Sequence, residues 1–155
     1  MTQSKARIKV TSRSFSRHPV LKQELLDIFP NSVFNTDGPP TGLPNIVEFL
    51  NDADGMVLGL EKMDHHVLQQ LNNMKIIAKY GVGLDNLDVE AAKELGIEIG
   101  WTGGVNKRSA SEQALGFMLG LSRNLFFSSF PLKDGRWEKE GGAFLTGKTV
   151  GIIGC

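Results

Sequence analysis

The chain has 155 residues, of which 41% are hydrophobic and 22% are charged, values that are ordinary for a globular protein with one domain or slightly more. Seventeen basic residues balance seventeen acidic ones, so the formal net charge is zero and we expect neither nucleic acid nor a membrane as a partner. No stretch reaches the roughly 18 apolar residues of a membrane span. The single cysteine, Cys155, excludes an internal disulfide framework and predicts a cytoplasmic protein.

Short apolar runs alternate with helical patterns through most of the chain, which is typical of βα units and a parallel sheet. Since successive parallel strands need a connection on a face of the sheet, five such runs predict a doubly wound α/β layer, either flavodoxin-like or Rossmann-like. The predicted strands are residues 8–11, 32–35, 55–58, 75–79 and 97–101.

The helices between these strands are marked by their terminal residues. Pro19 opens a helix in which Leu21, Leu25 and Phe29 form one buried stripe. A short helix is predicted at residues 45–50. Two further helices are predicted to begin after the N-cap residues Asp64 and Asp88, and Gly96 is placed to end the second of these.

The character of the sequence changes after residue 104. Residues 107–127 predict one long helix that is apolar nearly all round, so we expect it to be buried between domains or subunits and the protein to form dimers or larger assemblies. Gly116 and Gly120 within it would let another backbone approach closely. Residues 128–147 predict a polar, glycine-punctuated arm. Residues 147–155 predict a turn, a buried strand and, at Gly154, the first glycine of a dinucleotide-binding fingerprint whose remainder is absent.

The loop at residues 80–86 is the most chemically suggestive segment. It follows a predicted buried strand, at the edge where open α/β sheets bind ligands, and Gly81 and Gly83 allow consecutive N–H groups to face an anion such as a carboxylate. The segment Gly59, Leu60 and Glu61 follows the preceding strand and would line the same crevice. An ordinary glycine turn is the alternative interpretation of both loops. We expect Glu61 to be an exposed loop carboxylate, with support of the site from behind as the alternative.

The other polar candidates have structural explanations. The histidines His18, His65 and His66 fall at predicted helix starts and have no partners at metal-ligand spacing, so we predict no metal site and no catalytic histidine. Asn106 and Ser109 flank the start of the long helix and are interpreted as capping residues, with Glu112 satisfying first-turn donors or the helix dipole. Facing a cofactor that crosses the domain junction is the alternative.

An ordered set of motifs carries a family resemblance. These motifs are residues 79–88, 91–97, 104–106, 109–112 and 145–154. In that order and spacing they resemble the NAD-dependent D-isomer-specific 2-hydroxyacid dehydrogenases, most of all the phosphoglycerate dehydrogenase branch. The resemblance implies a flavodoxin-like substrate domain at residues 1–104. It also implies that residues 105–155 hold the crossover helix, a dimer arm and the start of a truncated Rossmann domain that binds NAD, with NADP as the alternative.

The resemblance also implies roles for particular residues. Val82 and Gly83 would hold the substrate carboxylate through backbone N–H groups, and Gly59 and Leu60 would contact the substrate. Val82, Ser109 and Gly154 would contact the cofactor. Some relatives carry an arginine at the Gly59 loop for an anionic substrate, and the absence of one here leaves 3-phosphoglycerate an open question among D-2-hydroxyacids and 2-ketoacids. The family's catalytic arginine, acid and histidine would lie downstream of Cys155, so we expect this chain to be an inactive fragment of a homodimeric oxidoreductase.

Proteins of two other classes are the alternatives to this interpretation. A signalling receiver shares the topology but needs acidic residues after the first strand and an aspartate after the third. Those positions hold Ser12, Arg13 and Ser14, and Gly59 and Leu60, which argues strongly against a receiver. A non-catalytic interaction protein that retains the dehydrogenase fold stays open.

Overall fold

The computed structural model describes residues 4–37, 45–138 and 141–153. The chain divides into two compact units, Met1–Gly104 and Val105–Cys155. The roles assigned above to residues 1–104 and 105–155 stay predictions.

The first unit is built on one parallel sheet of five strands. They are β1 (Ile8–Val10), β2 (Val33–Phe34), β3 (Gly55–Leu58), β4 (Ile76–Lys79) and β5 (Glu98–Gly100). Their order is β2-β1-β3-β4-β5, and every neighbouring pair is parallel. This confirms the predicted α/β class, and the order is the flavodoxin-like one.

Five helices connect these strands. They are α1 (Arg13–Arg17), α2 (Pro19–Ile28), α3 (Ile46–Leu50), α4 (His65–Leu68) and α5 (Val89–Glu94). The predicted caps are confirmed, because Asp64 Oδ1 accepts from Val67 N at 3.1 Å and Asp88 Oδ1 accepts from Ala91 N at 3.0 Å. Gly96 follows α5 with a φ of 72°, which a glycine adopts without strain. The short α1 was not predicted, although Ser12 caps it.

Two apolar clusters cover the two faces of this sheet. Successive side chains of a strand point to opposite faces, so Met56 and Leu58 of β3 enter one cluster and Val57 enters the other. Ile77 of β4 is fully buried in the larger cluster, beside Met56 in the strand register. The first unit therefore has a core of its own.

The second unit contains two helices where one was predicted. They are α6 (Lys107–Ser122) and α7 (Leu125–Lys133). The predicted single helix over residues 107–127 is wrong because Asn124 adopts the left-handed conformation, with a φ of 56°, which ends α6. The ring of Phe126 then folds back onto Gly120, where a Cβ would lie 2.4 Å from the ring. Gly120 thus accommodates a side chain of its own unit, while no atom lies within 4 Å of a Cβ on Gly116.

The predicted strand near the end of the chain does not form in the part that the structure describes. Residues 146–147 make a turn, and Lys148 N donates to Leu145 O at 3.0 Å, but residues 149–153 are neither helix nor strand. Ile152 is 77% exposed. A strand needs a neighbouring strand to satisfy its backbone, and the described residues of the second unit offer none. Gly154 lies outside the described residues.

Two kinds of feature are absent from the residues that the structure describes. None of their helices combines the length and the apolar character needed to cross a bilayer. They also contain no group of three or more histidine, cysteine, aspartate or glutamate side chains placed to hold a metal ion.

Candidate functional site

A cleft of about 410 Å³ opens at the carboxyl edge of the sheet, where β1 and β3 end. Because β2 lies on one side of β1 and β3 on the other, this is the point at which the strand order reverses, and open α/β sheets bind ligands at such points. The segments that follow β1 and β3 supply its lining: Thr11, Ser12, Arg13, Ser14, Arg17, Gly59, Leu60 and Glu61.

A buried hydrogen-bond network fixes the floor of this cleft. The Thr11 hydroxyl donates to Glu61 Oε2 at 2.6 Å and accepts from Gly59 N at 3.0 Å. Glu61 is only 6% exposed, so the expectation that it is an exposed loop carboxylate is wrong. A buried carboxylate that is hydrogen-bonded in this way holds the two loops in one arrangement.

Gly59 and Leu60 both lie where the sequence places them, at the cleft. A Cβ on Gly59 would lie 3.0 Å from Ser12 Cα and 3.1 Å from Glu61 Oε2, so a side chain here would crowd the β1 loop and glycine favours this close approach. Leu60, in contrast, is 70% exposed at the cleft.

Val82 and Gly83 occupy the neighbouring loop, after β4, and are not part of the cleft lining. Gly81 before them has a φ of 138°, a conformation that L side chains rarely adopt. Neither the Val82 nor the Gly83 N–H has a hydrogen-bond acceptor among the described residues. Trp101 Nε1 donates to Val82 O at 3.0 Å, which holds this loop in place. Two free N–H groups on consecutive residues can bind an anion.

Lys79 and Asn86 connect the β4 loop to the β3 loop. Lys79 Nζ donates to Gly59 O at 2.6 Å, and Asn86 Nδ2 donates to Glu61 O at 2.7 Å. Burial lowers the pKa of Lys79, and the carboxylates of Asp85 and Glu61 act in the opposite direction. The free N–H groups and the cleft therefore belong to one hydrogen-bonded edge.

An aromatic contact joins α1 to the same edge. The rings of Phe15 and Tyr80 meet edge to face, with centroids 5.3 Å apart. The loops after β1, β3 and β4 are thus all held together by specific contacts.

Two arginines at the cleft were not recognised in the sequence as candidate ligand-binding residues. Arg13 and Arg17 lie at the two ends of α1 and line the cleft. Arg17 donates from Nε and Nη2 to Thr36 O, at 3.2 and 3.0 Å. Arg13 Nε is buried without a hydrogen-bond partner. The signal that could have found them is positional, because residues directly after β1 of a parallel sheet share an edge with those after β3.

Ser109, a predicted cofactor contact, makes its hydrogen bond within the second unit, and its role stays a prediction. Ser109 Oγ donates to Asn106 O at 3.0 Å within α6, and Glu112 pairs with Arg108 at 3.1 Å. The Asn106 side chain makes no capping hydrogen bond, so its interpretation as a side-chain cap is wrong. Gly154, as noted, lies outside the described residues.

A doubly wound parallel sheet with a cleft at its switch point is an α/β architecture with a candidate ligand site at its carboxyl edge. The family model of the D-isomer specific 2-hydroxyacid dehydrogenase catalytic domain matches residues 15–154. The chain belongs to this family.

Two relatives illustrate the sequence similarity. Hydroxypyruvate reductase of Thermotoga maritima is 38% identical over 112 residues, which are 70% of this chain and 37% of the relative. D-3-phosphoglycerate dehydrogenase of Methanocaldococcus jannaschii is 37% identical over 119 residues, 74% of this chain and 23% of the relative. The chain therefore spans well under half the length of these relatives.

Solved structures agree with the fold. A protein described as a D-isomer specific 2-hydroxyacid dehydrogenase, NAD-binding, from Polaromonas sp. JS6 66 is 25% identical with a TM-score of 0.78, over 93% of this chain and 46% of that one. An NADPH-dependent glyoxylate/hydroxypyruvate reductase from Sinorhizobium meliloti, in complex with NADP and malonate, is 24% identical with a TM-score of 0.67, over 95% of this chain and 44% of that one.

Proposed function

We propose that the first unit is the substrate-binding domain of a nicotinamide-dependent oxidoreductase that interconverts D-2-hydroxyacids and 2-ketoacids. The observation that carries this proposal is the carboxyl edge of the sheet, where the free N–H groups of Val82 and Gly83 lie in a loop that is hydrogen-bonded to the cleft-forming loop of Gly59. Such an edge supplies donors for an anion and a cleft for the rest of a small molecule.

Within this proposal the Val82 and Gly83 N–H groups bind the substrate carboxylate. Gly59 and Leu60 contact the remainder of the molecule, and the Thr11 to Glu61 hydrogen bond keeps their loop rigid. Rigid placement of a substrate before reaction is itself a large part of enzymatic rate enhancement.

A nicotinamide cofactor would accept or supply the hydride. NAD is the proposed cofactor and NADP the alternative, with Val82, Ser109 and Gly154 as contacts. The support for the cofactor is membership of the family. The described residues of the second unit do not themselves fit a pyrophosphate, because they form no strand that leads into a phosphate-binding loop and helix.

We further propose that the residues which transfer protons in the reaction are absent from this chain. None of its three histidines lines the cleft, and His18 Nδ1 instead accepts from Leu21 N at 3.3 Å as the cap of α2. General acid/base groups typically contribute roughly 10²- to 10⁴-fold in rate, so the chain alone would bind substrate without turning it over. The single cysteine favours a cytoplasmic setting.

A titration tests the binding role. Pyruvate added to the isotopically labelled chain is expected to shift the amide resonances of Val82 and Gly83. Gly81→Ala, which strains the loop at φ 138°, should weaken that response. Gly135→Ala is the matched control, since it also carries a positive φ but lies in the second unit. Unchanged Val82 and Gly83 resonances at saturating pyruvate would contradict the proposed function.

An assay tests the absence of turnover. The purified chain mixed with NADH and pyruvate should leave the NADH absorbance unchanged. Oxidation of NADH at a rate proportional to chain concentration would show that the chain carries its own catalytic groups. Pyruvate binding without any NADH response in a longer form of the protein would favour the non-catalytic interaction protein.

A homodimer is proposed on the apolar surface of the second unit. Leu121, Phe127 and Phe130 are each at least 65% exposed, and burying one large apolar side chain is worth about 1.5 to 3 kcal/mol. Light scattering at micromolar concentration should give twice the chain mass, and Phe127→Ser with Leu121→Ser should reduce it to the monomer mass. A wild-type chain that is monomeric throughout would refute the dimer.

A further inference from the structure

The cleft lining carries more positive than negative charge. Arg13 and Arg17 approach it from α1, and Glu61 is the one acidic residue in its lining. Glu61 Oε2 already accepts from the Thr11 hydroxyl at 2.6 Å. The carboxylate is therefore held against the floor of the cleft while two guanidinium groups line the same space, and the balance favours an anionic guest.

Arg13 has donor capacity that the protein does not use. Its Nε is buried and has no hydrogen-bond partner, and no salt bridge to Arg13 occurs among the described residues. A guanidinium offers five N–H donors in a fork that matches carboxylate and phosphate oxygens. No nitrogen of Arg13 donates to a partner among the described residues, so the guanidinium that lines the cleft keeps donors for an acceptor that enters it.

The neighbouring groups are also donors with capacity to spare. Arg17 uses Nε and Nη2 on Thr36 O, which leaves further N–H groups on the same fork. The hydroxyls of Ser12 and Ser14 lie 3.1 Å apart in the lining. Two arginines and two hydroxyls in one cleft match the oxygen-rich surface of a phosphate or a carboxylate.

The spacing of the strands relates this cluster to the Val82 and Gly83 amides. β1 and β4 are both neighbours of β3, so the ends of β1 and β4 lie roughly 10 Å apart. The two loops are also connected, because Gly59 lines the cleft beside the arginines and its carbonyl accepts from Lys79 Nζ at 2.6 Å. A short carbon chain with an anionic group at each end can therefore lie along this edge.

We propose that Arg13 and Arg17 form a subsite for a second anionic group of the substrate, which selects 2-hydroxyacids or 2-ketoacids that carry a carboxylate or phosphate at the far end of a short carbon chain. This inference rests on the proposed function, since the first carboxylate is the one held by Val82 and Gly83. The Gly59 loop itself holds no arginine, so in this proposal the residues that follow β1 supply the positive charge.

The test compares three probes on the full 155-residue chain by calorimetry: D-lactate with one anionic group, and D-malate and D-3-phosphoglycerate with two. One charge-assisted hydrogen-bonded contact is worth about tenfold in affinity, so at least one doubly anionic probe should bind about tenfold tighter than D-lactate. Whichever of D-malate and D-3-phosphoglycerate binds more tightly identifies carboxylate or phosphate as the second anionic group.

Variants assign the effect to the subsite. Arg13→Gln should reduce the preference for two anionic groups to about twofold or less while leaving D-lactate affinity unchanged, and Arg13→Lys should retain part of it, because the charge remains but the fork is lost. Arg7→Gln removes the same charge at the opposite edge of the sheet, beside Asp52, and should leave the preference intact. Circular dichroism checks that each variant is folded.

The outcomes separate the two proposals. Equal affinity for all three probes, with D-lactate still shifting the Val82 and Gly83 amides, overturns the subsite and leaves the proposed function standing. A preference that survives Arg13→Gln and Arg17→Gln together also overturns the subsite. Probes that bind without affecting the Val82 and Gly83 amides contradict the proposed function instead.

Discussion

The two units of this chain use apolar residues in opposite ways. In the first unit, Leu58 and Ile77 are fully buried between helices and sheet. In the second, Leu121 of α6 and Phe127 of α7 are mostly exposed. The difference shows that the first unit satisfies its own burial requirement, while the second presents apolar surface that is more costly to leave in water.

The two units differ in the support that they offer a binding site as well as in how they bury apolar residues. The carboxyl edge of β1, β3 and β4 is held by buried hydrogen bonds on a complete core, and a binding site needs such rigid support. The described part of the second unit contains helices and extended chain but no sheet. Substitutions matched between the two units test this difference.

The largest contrast is expected from truncating one buried and one exposed aliphatic side chain. Ile77→Ala removes a fully buried side chain of β4 and should lower the free energy of unfolding by about 2 to 5 kcal/mol. Leu121→Ala, at 65% exposure, should change it by about 0.5 kcal/mol or less in a dilute sample. Urea denaturation measures both. Similar losses at the two positions would remove the distinction between the units.

Replacing one glycine in each unit by alanine should give smaller changes in stability, with opposite signs in the two units. Gly59→Ala would press a methyl group against the backbone of Ser12 and should cost about 1 to 3 kcal/mol. Gly116→Ala lies on an open face of α6 and should raise stability by about 0.4 to 1 kcal/mol. Thermal unfolding of the two variants checks the signs. A stabilised Gly59→Ala would mean that the cleft loops are not closely packed.

The smallest contrast concerns two surface carboxylates. The Arg7 backbone N–H and Lys75 hold the pKa of Asp54 below its usual 3.8. A lowered carboxyl pKa stabilises the fold above 3.8 and loses that contribution as the pH falls through the folded value. Asp54→Asn should therefore have a lower urea midpoint than wild type at pH 7. The difference between the two midpoints should disappear in acid. Glu112→Gln should show no gap at either pH, because Glu112 belongs to an exposed ion pair.

Much of the first unit could be predicted because its signals are local. The apolar run at β3, the caps Asp64 and Asp88 and the glycine at position 96 each specify a conformation within a few residues. The helix α1 was missed because five residues are too few for a periodic pattern, although Ser12 is an ordinary N-cap residue.

The structure of the second unit was harder to predict, because it depends on contacts that hydrophobic periodicity does not encode. Apolar residues continue unbroken across Asn124, so the pattern gave no reason to end the helix where the backbone turns left-handed. Arg13 and Arg17 were missed for a related reason. Glycine-rich loops indicate backbone N–H donors from the sequence alone. A side-chain site after β1 can be located only once the strand order is known.

The most direct test of the central account is to compare residues 1–104 with the whole chain. If the first unit has a complete core and carries the site, residues 1–104 should unfold cooperatively and bind D-malate and D-3-phosphoglycerate with affinities within about twofold of those of the whole chain, a difference well below one tenfold step of 1.4 kcal/mol. A shortened chain that is unfolded, or that is folded but does not bind probes bound by the whole chain, would contradict the account.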